Sequence, residues 1–283
     1  LVTTADQAGT TGLRKTLADL GYRFKYVYDI IGKPSGAKKV AQYCRAAVAA
    51  SELRHAKAGM MGYRDMNLYG TLFDGASLKK VIGPEIESFE MLEVAQRYEK
   101  FSDAEKEEVI NKYMSSWKFL KEPNREAQMR AAGYYLAVRD ICRERGYESI
   151  SLKDVDGMKK LLGFPPAMVF MLLEHYYGVL TVPENDIMGA VSQLVMKYLS
   201  NQIVPYLEYY EFFENSMLIG VPDYVPKAVT DGDVTVLPAA FGLLNASLLN
   251  VSKVKTGYVT CARLFYLNGK YKMHVYTADA KTP

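Results

Sequence analysis

Apolar runs alternate with amphipathic stretches along the chain, and this pattern predicts strands and helices in regular succession. At the start, short apolar runs at residues 1–4 and 24–28 alternate with helical spacing at residues 12–20 and 37–54. Apolar positions three and four residues apart indicate helices, whereas short β-branched and aromatic runs indicate strands. Residues 1–55 are therefore predicted to be a βαβα unit, the C-terminal part of an N-terminal α/β domain.

The same succession continues over residues 56–200 and predicts a middle α/β domain. Its strands are predicted at residues 57–63, 86–93, 149–152 and 179–182, and its helices at residues 77–81, 102–120, 125–146, 166–177 and 186–199. A capping box from Ser102 to Glu105 opens one of the long helices, and Asn185 is the expected N-cap of the last one. Strands that alternate with helices favour a doubly wound parallel sheet.

After residue 200 the pattern changes, because strands follow one another with few helices between them. Strands are predicted at residues 203–210, 234–237, 258–267 and 271–276, with Asn268-Gly269 as a hairpin turn. The predicted fold class is thus α/β, with doubly wound parallel sheet domains followed by a mainly β C-terminal domain over residues 201–283.

Composition narrows the classes of function. With 49% hydrophobic residues, 24% charged residues and a net charge of +3, the chain is predicted to be globular, and it lacks the basic stripe of a nucleic-acid-binding surface. No apolar run approaches the roughly 18 residues of a membrane span. The three cysteines, Cys44, Cys142 and Cys261, are far apart and odd in number. This favours buried free thiols in a cytoplasmic protein over disulfides or a zinc site.

Both ends of the sequence look cut. The chain begins without Met in strand-like sequence, and residues 271–283 end it in strand-like sequence as well. We therefore expect it to be part of a longer polypeptide.

Two acidic residues form the candidate site. Glu184 directly follows the strand that Pro183 closes, and Glu208 lies 24 positions later, after an intervening helix. Ligands of open α/β sheets bind beyond the carboxyl ends of strands, so the two carboxylates are candidates to meet there. Such oxygen ligands suit Mn²⁺ or Mg²⁺ better than zinc. The alternative is that both are solvated strand acids, and Asp186 equally suits the positive end of the helix dipole.

Other chemistry has little support in the sequence. The chain has no G-x-S-x-G motif and no phosphate-binding P-loop. His55 and His175 lie on predicted helices and are expected to be surface or packing residues. His274, on a late strand, is the one histidine kept as a candidate.

Around the two acids the chain resembles the L-fucose/L-arabinose isomerase family. Residues 184–191 and 205–209 look like the segment that carries the family's two acidic metal ligands, and their spacing is closer to the fucose branch. Residues 59–64 resemble the opening of the family's middle domain, and residues 149–154 resemble a strand on the substrate side of the metal site.

The resemblance implies an aldose–ketose isomerase that works on an open-chain sugar through an ene-diol intermediate. It implies Mn²⁺ as the cofactor, with Mg²⁺ or Co²⁺ as alternatives, and a homo-oligomer, a trimer or hexamer, with sites near the subunit interfaces. Glu184 and Glu208 become metal ligands and catalytic acid/base groups. The substrate-binding residues expected on this basis are Arg14, Tyr63, Arg64 and Lys153, with Asp65 beside them; ordinary loop and surface roles are the alternative.

One departure from the family pattern keeps a second hypothesis open. The family's third metal ligand is a histidine in the C-terminal domain, and none can be placed in this chain; the arabinose branch also has a histidine where this chain has residues 220–223. The alternative is therefore a catalytically inactive relative that binds a sugar or regulates a partner. A periplasmic-type sugar-binding protein suits the α/β domains, but not the missing signal peptide or the paired acids.

Overall fold

The computed structural model describes residues 2–3, 7–28, 35–220, 224–240 and 243–282. The chain divides into two compact units, residues 1–52 and 53–283. The first elements are β1 (Val2–Thr3), α1 (Gln7–Asp19), β2 (Val27–Tyr28) and α2 (Ser35–His55). Strands β1 and β2 pair in parallel, with Val2 opposite Val27. The predicted order of strand, helix, strand and helix is confirmed.

The second unit contains seventeen further α-helices and β-strands of the described chain, in which parallel strands precede antiparallel ones. The first part holds β3 (Lys57–Met61), α3 (Gly75–Val81), β4 (Glu85–Phe89), α4 (Met91–Tyr98), α5 (Asp103–Val109), β5 (Lys118–Phe119), α6 (Arg125–Arg145), β6 (Ser149–Leu152), α7 (Ala167–Leu172), β7 (Leu180–Val182) and α8 (Ile187–Ser200). The second part holds β8 (Glu208–Phe212), β9 (Met217–Gly220), β10 (Thr235–Ala240), β11 (Leu243–Asn250), β12 (Gly257–Leu267) and β13 (Lys270–Ala280).

A four-stranded parallel sheet in the order β4-β3-β6-β7 is the frame of this unit. The chain starts on the inner strand β3, moves outward to β4, and then returns to the other side of β3 as β6. The strand order therefore reverses between β3 and β6. In open α/β sheets, the crevice for a ligand forms at the carboxyl ends of the strands where such a reversal occurs.

Apolar side chains cover both faces of this sheet. Successive residues of a strand point to opposite faces, and Met60 and Met61 accordingly belong to two different hydrophobic clusters. Met60 packs with residues of α3, α8 and β12, whereas Met61 packs with residues of α4 to α7. The predicted α/β class with a parallel sheet is thus confirmed.

The later strands form antiparallel pairs, and one of these pairs is the predicted hairpin. Strands β8 and β9 pair with each other, and β12 and β13 form a long hairpin around Asn268 and Gly269. Both turn residues have positive φ, 52° and 76°, which fits the predicted hairpin turn. A third sheet has the order β11-β10-β5. The domain boundary near residue 201 stays a prediction, because the parallel sheet and these strands lie in one compact unit.

Several predicted elements have different bounds in the structure. The strand predicted at residues 86–93 ends at Phe89, and α4 begins two residues later. Arg97 of this helix forms ion pairs with Glu93 and Glu144. The pattern of apolar and polar residues along the chain does not predict the contact with Glu144. The helix predicted to reach residue 120 ends with a π-helical turn at Met114, since β5 leaves to pair with β10. The strand predicted at residues 203–210 begins only at Glu208. Strands β9 and β11 are not among the predicted strands.

The cysteines differ in their surroundings. All three are free, but only Cys142 is buried, and burial raises the pKa of its thiol to about 12. Cys44 is exposed and Cys261 is half-buried, so the prediction of buried thiols is wrong for these two. Among the described residues, no helix is long and apolar enough to cross a membrane.

Candidate functional site

Glu184 lies in a strained turn at the carboxyl end of β7. Its φ is 61° and that of Asn185 is 57°, a left-handed conformation that costs a residue with a Cβ about 1–2 kcal/mol. Two contacts hold the turn. The Glu184 backbone N–H donates to Asp154 Oδ1 at 2.6 Å, and the Asn185 side-chain amide donates to the carbonyls of Met61 and Tyr63. The turn is thus fixed against the ends of β3 and β6.

This use of Asn185 corrects the predicted helix cap. Because the Asn185 side chain is bound to the loop after β3, Asp186 is the N-cap of α8, and its Oδ1 accepts from the backbone N–H of Gly189 at 3.1 Å. The sequence pattern placed the cap one residue too early, since both residue types are good N-caps.

Asp154 is a second acidic residue at this edge, one that the prediction did not include. It is 5% exposed, and burial raises the pKa of its carboxyl well above the usual range. The nearby negative charges of Asp65 and Glu184 raise the pKa of Asp154 further. A cation at this edge would favour the ionised form of the Asp154 carboxyl. The position of Asp154 two residues after the end of β6 is the same strand-end signal that identified Glu184, which lies two residues after the end of β7.

Asp65 holds two loops of the fold together through hydrogen bonds. The residue is fully buried, and its carboxylate accepts from the backbone N–H groups of Met66, Val155 and Asp156 at 2.7–2.9 Å. It joins the loop after β3 to the turn after β6. These three hydrogen bonds favour the alternative named above, an ordinary loop role for Asp65, over contact with a substrate.

Two of the predicted substrate residues line one cleft, which lies where the strand order of the parallel sheet reverses. The cleft has a volume of about 440 Å³ and lies between the carboxyl ends of β3, β4 and β6. Its wall includes Tyr63 and Lys153, together with Ser88, Glu90 and Asp156. Tyr63 is 60% exposed, so its ring is accessible. Neither Glu184 nor Glu208 lines this cleft, although Asp154, next to Lys153, contacts the backbone of Glu184.

The stem of Lys153 passes between two glycines that leave room for it. A Cβ on Gly62 would lie 3.3 Å from Lys153 Cδ, and one on Gly157 would lie 3.2 Å from Lys153 Cβ and Cγ. Gly62 also has a φ of 75°, which a residue with a Cβ adopts only at a cost. The local sequence thus fixes the direction of this lysine along the cleft.

The other two predicted substrate residues have local partners. Arg64 donates to Asn67 Oδ1 at 3.2 Å, and its guanidinium lies 4.7 Å from the ring centre of Tyr69. Arg14 belongs to the first unit, where its guanidinium lies 4.6 Å from the ring centre of Tyr26. Their predicted contact with a substrate stays a prediction.

Glu208 begins β8, which is not a strand of the parallel sheet but half of a separate antiparallel pair. The link to the Glu184 turn runs through Tyr206, whose hydroxyl donates to Asp186 Oδ2 at 3.0 Å. The pKa of Tyr206 is raised, mainly by burial and further by the negative charges of Asp186 and Glu208. This hydrogen bond therefore joins the segments that carry the two predicted ligands.

The donor set is partly suited to a divalent cation. Carboxylates are the hard oxygen ligands that Mn²⁺ and Mg²⁺ prefer, and the Asn185 side-chain oxygen is buried without a hydrogen-bond partner among the described residues. Within the same part of the chain, no three His, Cys, Asp or Glu residues are grouped to hold a metal ion. Glu184 and Glu208 have the oxygen ligands that such a cation prefers, and their pairing around one ion stays a prediction.

The histidines do not complete the pair in the described structure. His274 is exposed on β13 opposite Arg263, with its ring centre 5.5 Å from that of Tyr276. His175 is half-buried, and burial lowers its pKa to about 4. His55 ends α2 and is exposed.

No model of a known protein family matches this chain, and no curated protein sequence is significantly similar to it. The resemblance to the sugar isomerases therefore rests on the residues quoted for it.

Replacing Glu184 with glycine is expected to stabilise the fold by about 0.5–1.5 kcal/mol, because glycine relieves the left-handed strain. It also removes a negative charge next to buried Asp154. The measurement is urea unfolding of the metal-free protein. Glu99→Gly is the control, since Glu99 is exposed with a φ of −66° and glycine there is expected to destabilise. A loss of stability in Glu184→Gly would show that the turn is not strained.

Proposed function

We propose that this protein is a metal-dependent aldose–ketose isomerase of open-chain sugars, in the cytoplasm, and that it assembles as a homo-oligomer. The observation that supports this most directly is the strained Glu184 turn at the carboxyl end of a parallel strand, beside buried Asp154. Strain at a polar turn is found where a side chain must be aimed for function. A divalent cation at the same edge would favour ionisation of the buried Asp154 carboxyl.

Glu184 and Glu208 would hold Mn²⁺, with Mg²⁺ or Co²⁺ as alternatives. The cation would supply polarisation of the two oxygens on the sugar carbons that exchange the carbonyl. The two carboxylates would move two protons: one would remove the proton from C2 as O1 gains a proton from the other, which gives an ene-diol, and the first proton would then be returned to C1 as O2 gives its proton back to the other carboxylate. The net reaction transfers two hydrogens within the sugar and needs no external oxidant or reductant.

Lys153 and Tyr63 would orient the sugar in the neighbouring cleft. The lysine ammonium donates hydrogen bonds to hydroxyl oxygens, and the tyrosine presents an exposed ring and a hydroxyl. Ser88, Glu90 and Asp156 add a donor and acceptors to the same wall. A wall with mixed donors and acceptors suits a polyhydroxylated substrate. Arg14 and Arg64 stay candidates for additional contacts.

The second candidate function is sugar binding without catalysis. It is motivated by the sequence, in which the family's third ligand, a histidine of the C-terminal domain, cannot be placed. Such a protein would use the same cleft to bind a sugar or to regulate a partner. Binding of a sugar without Mn²⁺ and without isomerisation would identify it.

The decisive experiment compares Glu184→Gln and Glu208→Gln with wild type. Because each change removes one charged ligand, Mn²⁺ affinity is expected to fall by at least about 100-fold, more than is usual for residues outside the coordination shell. Affinity is measured by calorimetry, and isomerisation is screened with a panel of aldoses. Glu211→Gln, at an exposed position on β8, is the matched control and should bind like wild type. If both ligand variants bind Mn²⁺ like wild type, the proposed function is wrong.

A further inference from the structure

One buried carboxylate, that of Asp186, binds three different parts of the second unit. Asp186 is 3% exposed, and its Oδ1 accepts from the Gly189 backbone N–H at 3.1 Å and from Arg263 Nη2 at 2.9 Å. Its Oδ2 accepts from the Tyr206 hydroxyl at 3.0 Å and from Arg263 Nη1. Both oxygens are therefore engaged twice, and the Arg263 contact has the bidentate form that is the strongest for this pair of groups.

The side chains of Asp186, Tyr206 and Arg263, called the Asp186 cluster below, pack closely around Gly189. A Cβ on Gly189 would lie 2.6 Å from Asp186 Oδ2, 2.8 Å from Tyr206 Cε2 and 3.0 Å from Arg263 Nη1. The three side chains thus meet above Gly189 in the first turn of α8, where a residue with a Cβ would collide with them. Alanine would otherwise be the better helix residue there.

Two residues of the Asp186 cluster lie between the two proposed metal ligands along the chain. Asp186 comes two residues after Glu184, and Tyr206 comes two residues before Glu208. Residues 201–207 contain no helix or strand, and the Tyr206–Asp186 hydrogen bond is one of the contacts that hold this connection. A second contact of the same kind joins the Gln193 side chain to the carbonyl of Val204 at 2.7 Å.

The hairpin β12–β13 takes part through Arg263. Its neighbour Leu264 is buried against α8, and the Leu264 backbone N–H donates to Ser192 Oγ at 2.7 Å. Because Arg263 neutralises Asp186, this aspartate is a partner of the arginine and not a third metal ligand.

Given the proposed function, on which this inference rests, we propose that Asp186, Tyr206 and Arg263 form a positioning unit. This unit fixes the turn of Glu184 relative to the start of β8 at Glu208, and so sets the affinity of the site for a divalent cation. None of the three side chains needs to touch the substrate.

The experiment is a double-mutant cycle with Asp186→Asn, Arg263→Gln and the double variant, measured on the full chain. Each single variant is expected to weaken Mn²⁺ binding by at least about tenfold, as is usual for residues that orient ligands. The double variant should lose little more than either single one, because the two residues act as a pair. Tyr206→Phe should give a smaller loss. Arg125→Gln is the matched control, since Arg125 forms an exposed ion pair with Glu107.

Hydrogen exchange in the metal-free protein gives a readout that does not depend on the cation. In Arg263→Gln, the amides of residues 204–212 are expected to exchange at least about tenfold faster than in wild type, while those of α6 do not change. If wild type itself does not bind Mn²⁺, the proposed function fails. If wild type binds and Glu184→Gln does not, but Arg263→Gln and Asp186→Asn keep both affinity and exchange rates, the positioning role alone is overturned.

Discussion

Asp65→Ala is expected to lower the free energy of unfolding by about 3–5 kcal/mol, the largest loss predicted from a single side chain here. The change removes the acceptor of three backbone N–H groups, those of Met66, Val155 and Asp156. Because the site is fully buried, water does not replace the lost acceptor without rearrangement. Urea unfolding at neutral pH measures the effect.

Two further variants make this test specific. Asp65→Asn keeps one acceptor oxygen and should lose less stability than Asp65→Ala. Asp231→Ala is the control at an exposed aspartate and should stay within about 0.5 kcal/mol of wild type. If Asp65→Ala were as stable as the control, the hydrogen bonds of Asp65 to the loop after β3 and to the turn after β6 would not stabilise the fold.

Glu174→Gln is expected to make the fold more stable at alkaline pH, by about 2–4 kcal/mol near pH 8.5. Glu174 lies in the π-helical turn after α7 and is 5% exposed, and burial raises the pKa of its carboxyl from 4.5 to about 8. Its Oε1 accepts hydrogen bonds from the backbone N–H and the hydroxyl of Thr181 in β7, both at 2.9 Å. These two bonds lower the pKa of Glu174, but burial raises it by more. The carboxyl is thus held in its neutral form beside the strand that leads to Glu184.

The sign of the pH dependence follows from this raised pKa. Between pH 4.5 and about 8, the folded state keeps a proton on Glu174 that the unfolded state has lost. The stability that this group contributes is therefore complete below pH 4.5 and falls as the pH rises towards 8, by up to about 1.4 kcal/mol for each pH unit. Glutamine cannot ionise, so the difference between variant and wild type should be small at pH 5 and grow with pH.

Urea unfolding at several pH values from 5 to 9 tests the prediction. Glu108→Gln, at an exposed position, is the control and should follow the wild-type profile. A difference between Glu174→Gln and wild type that does not change with pH would show that Glu174 is ionised in the folded state.

Local sequence was sufficient for the elements whose signals are strong and self-contained. The strand Ser149–Leu152 has the predicted bounds, α6 begins after the Asn124 cap and ends at Gly146 as predicted, and Asn268-Gly269 forms the hairpin turn. The position of Glu184 at the end of a strand also follows from Pro183, which closes β7.

Part of the candidate site follows the same local rules, and part does not. The strand-end rule that identified Glu184 applies equally to Asp154, which the prediction left out. Tyr63 and Lys153 were selected by resemblance, and they meet in the cleft because β3 and β6 are adjacent strands. Adjacency of strands that are far apart in the chain depends on the whole sheet and is not visible in either segment alone.

The sequence by itself determined the α/β class, most of the strands and helices up to residue 200 and the position of Glu184 at the end of a strand, because periodicity and capping act over a few residues. Only the tertiary structure decided which acids are buried, strained or paired. Asp65 binds residues 90 positions away, and Arg263 reaches Asp186 over 77 positions. Such contacts depend on how separate elements pack together, and they assign Asp65 and Asp186 to the scaffold while Glu184 keeps the place proposed for a ligand.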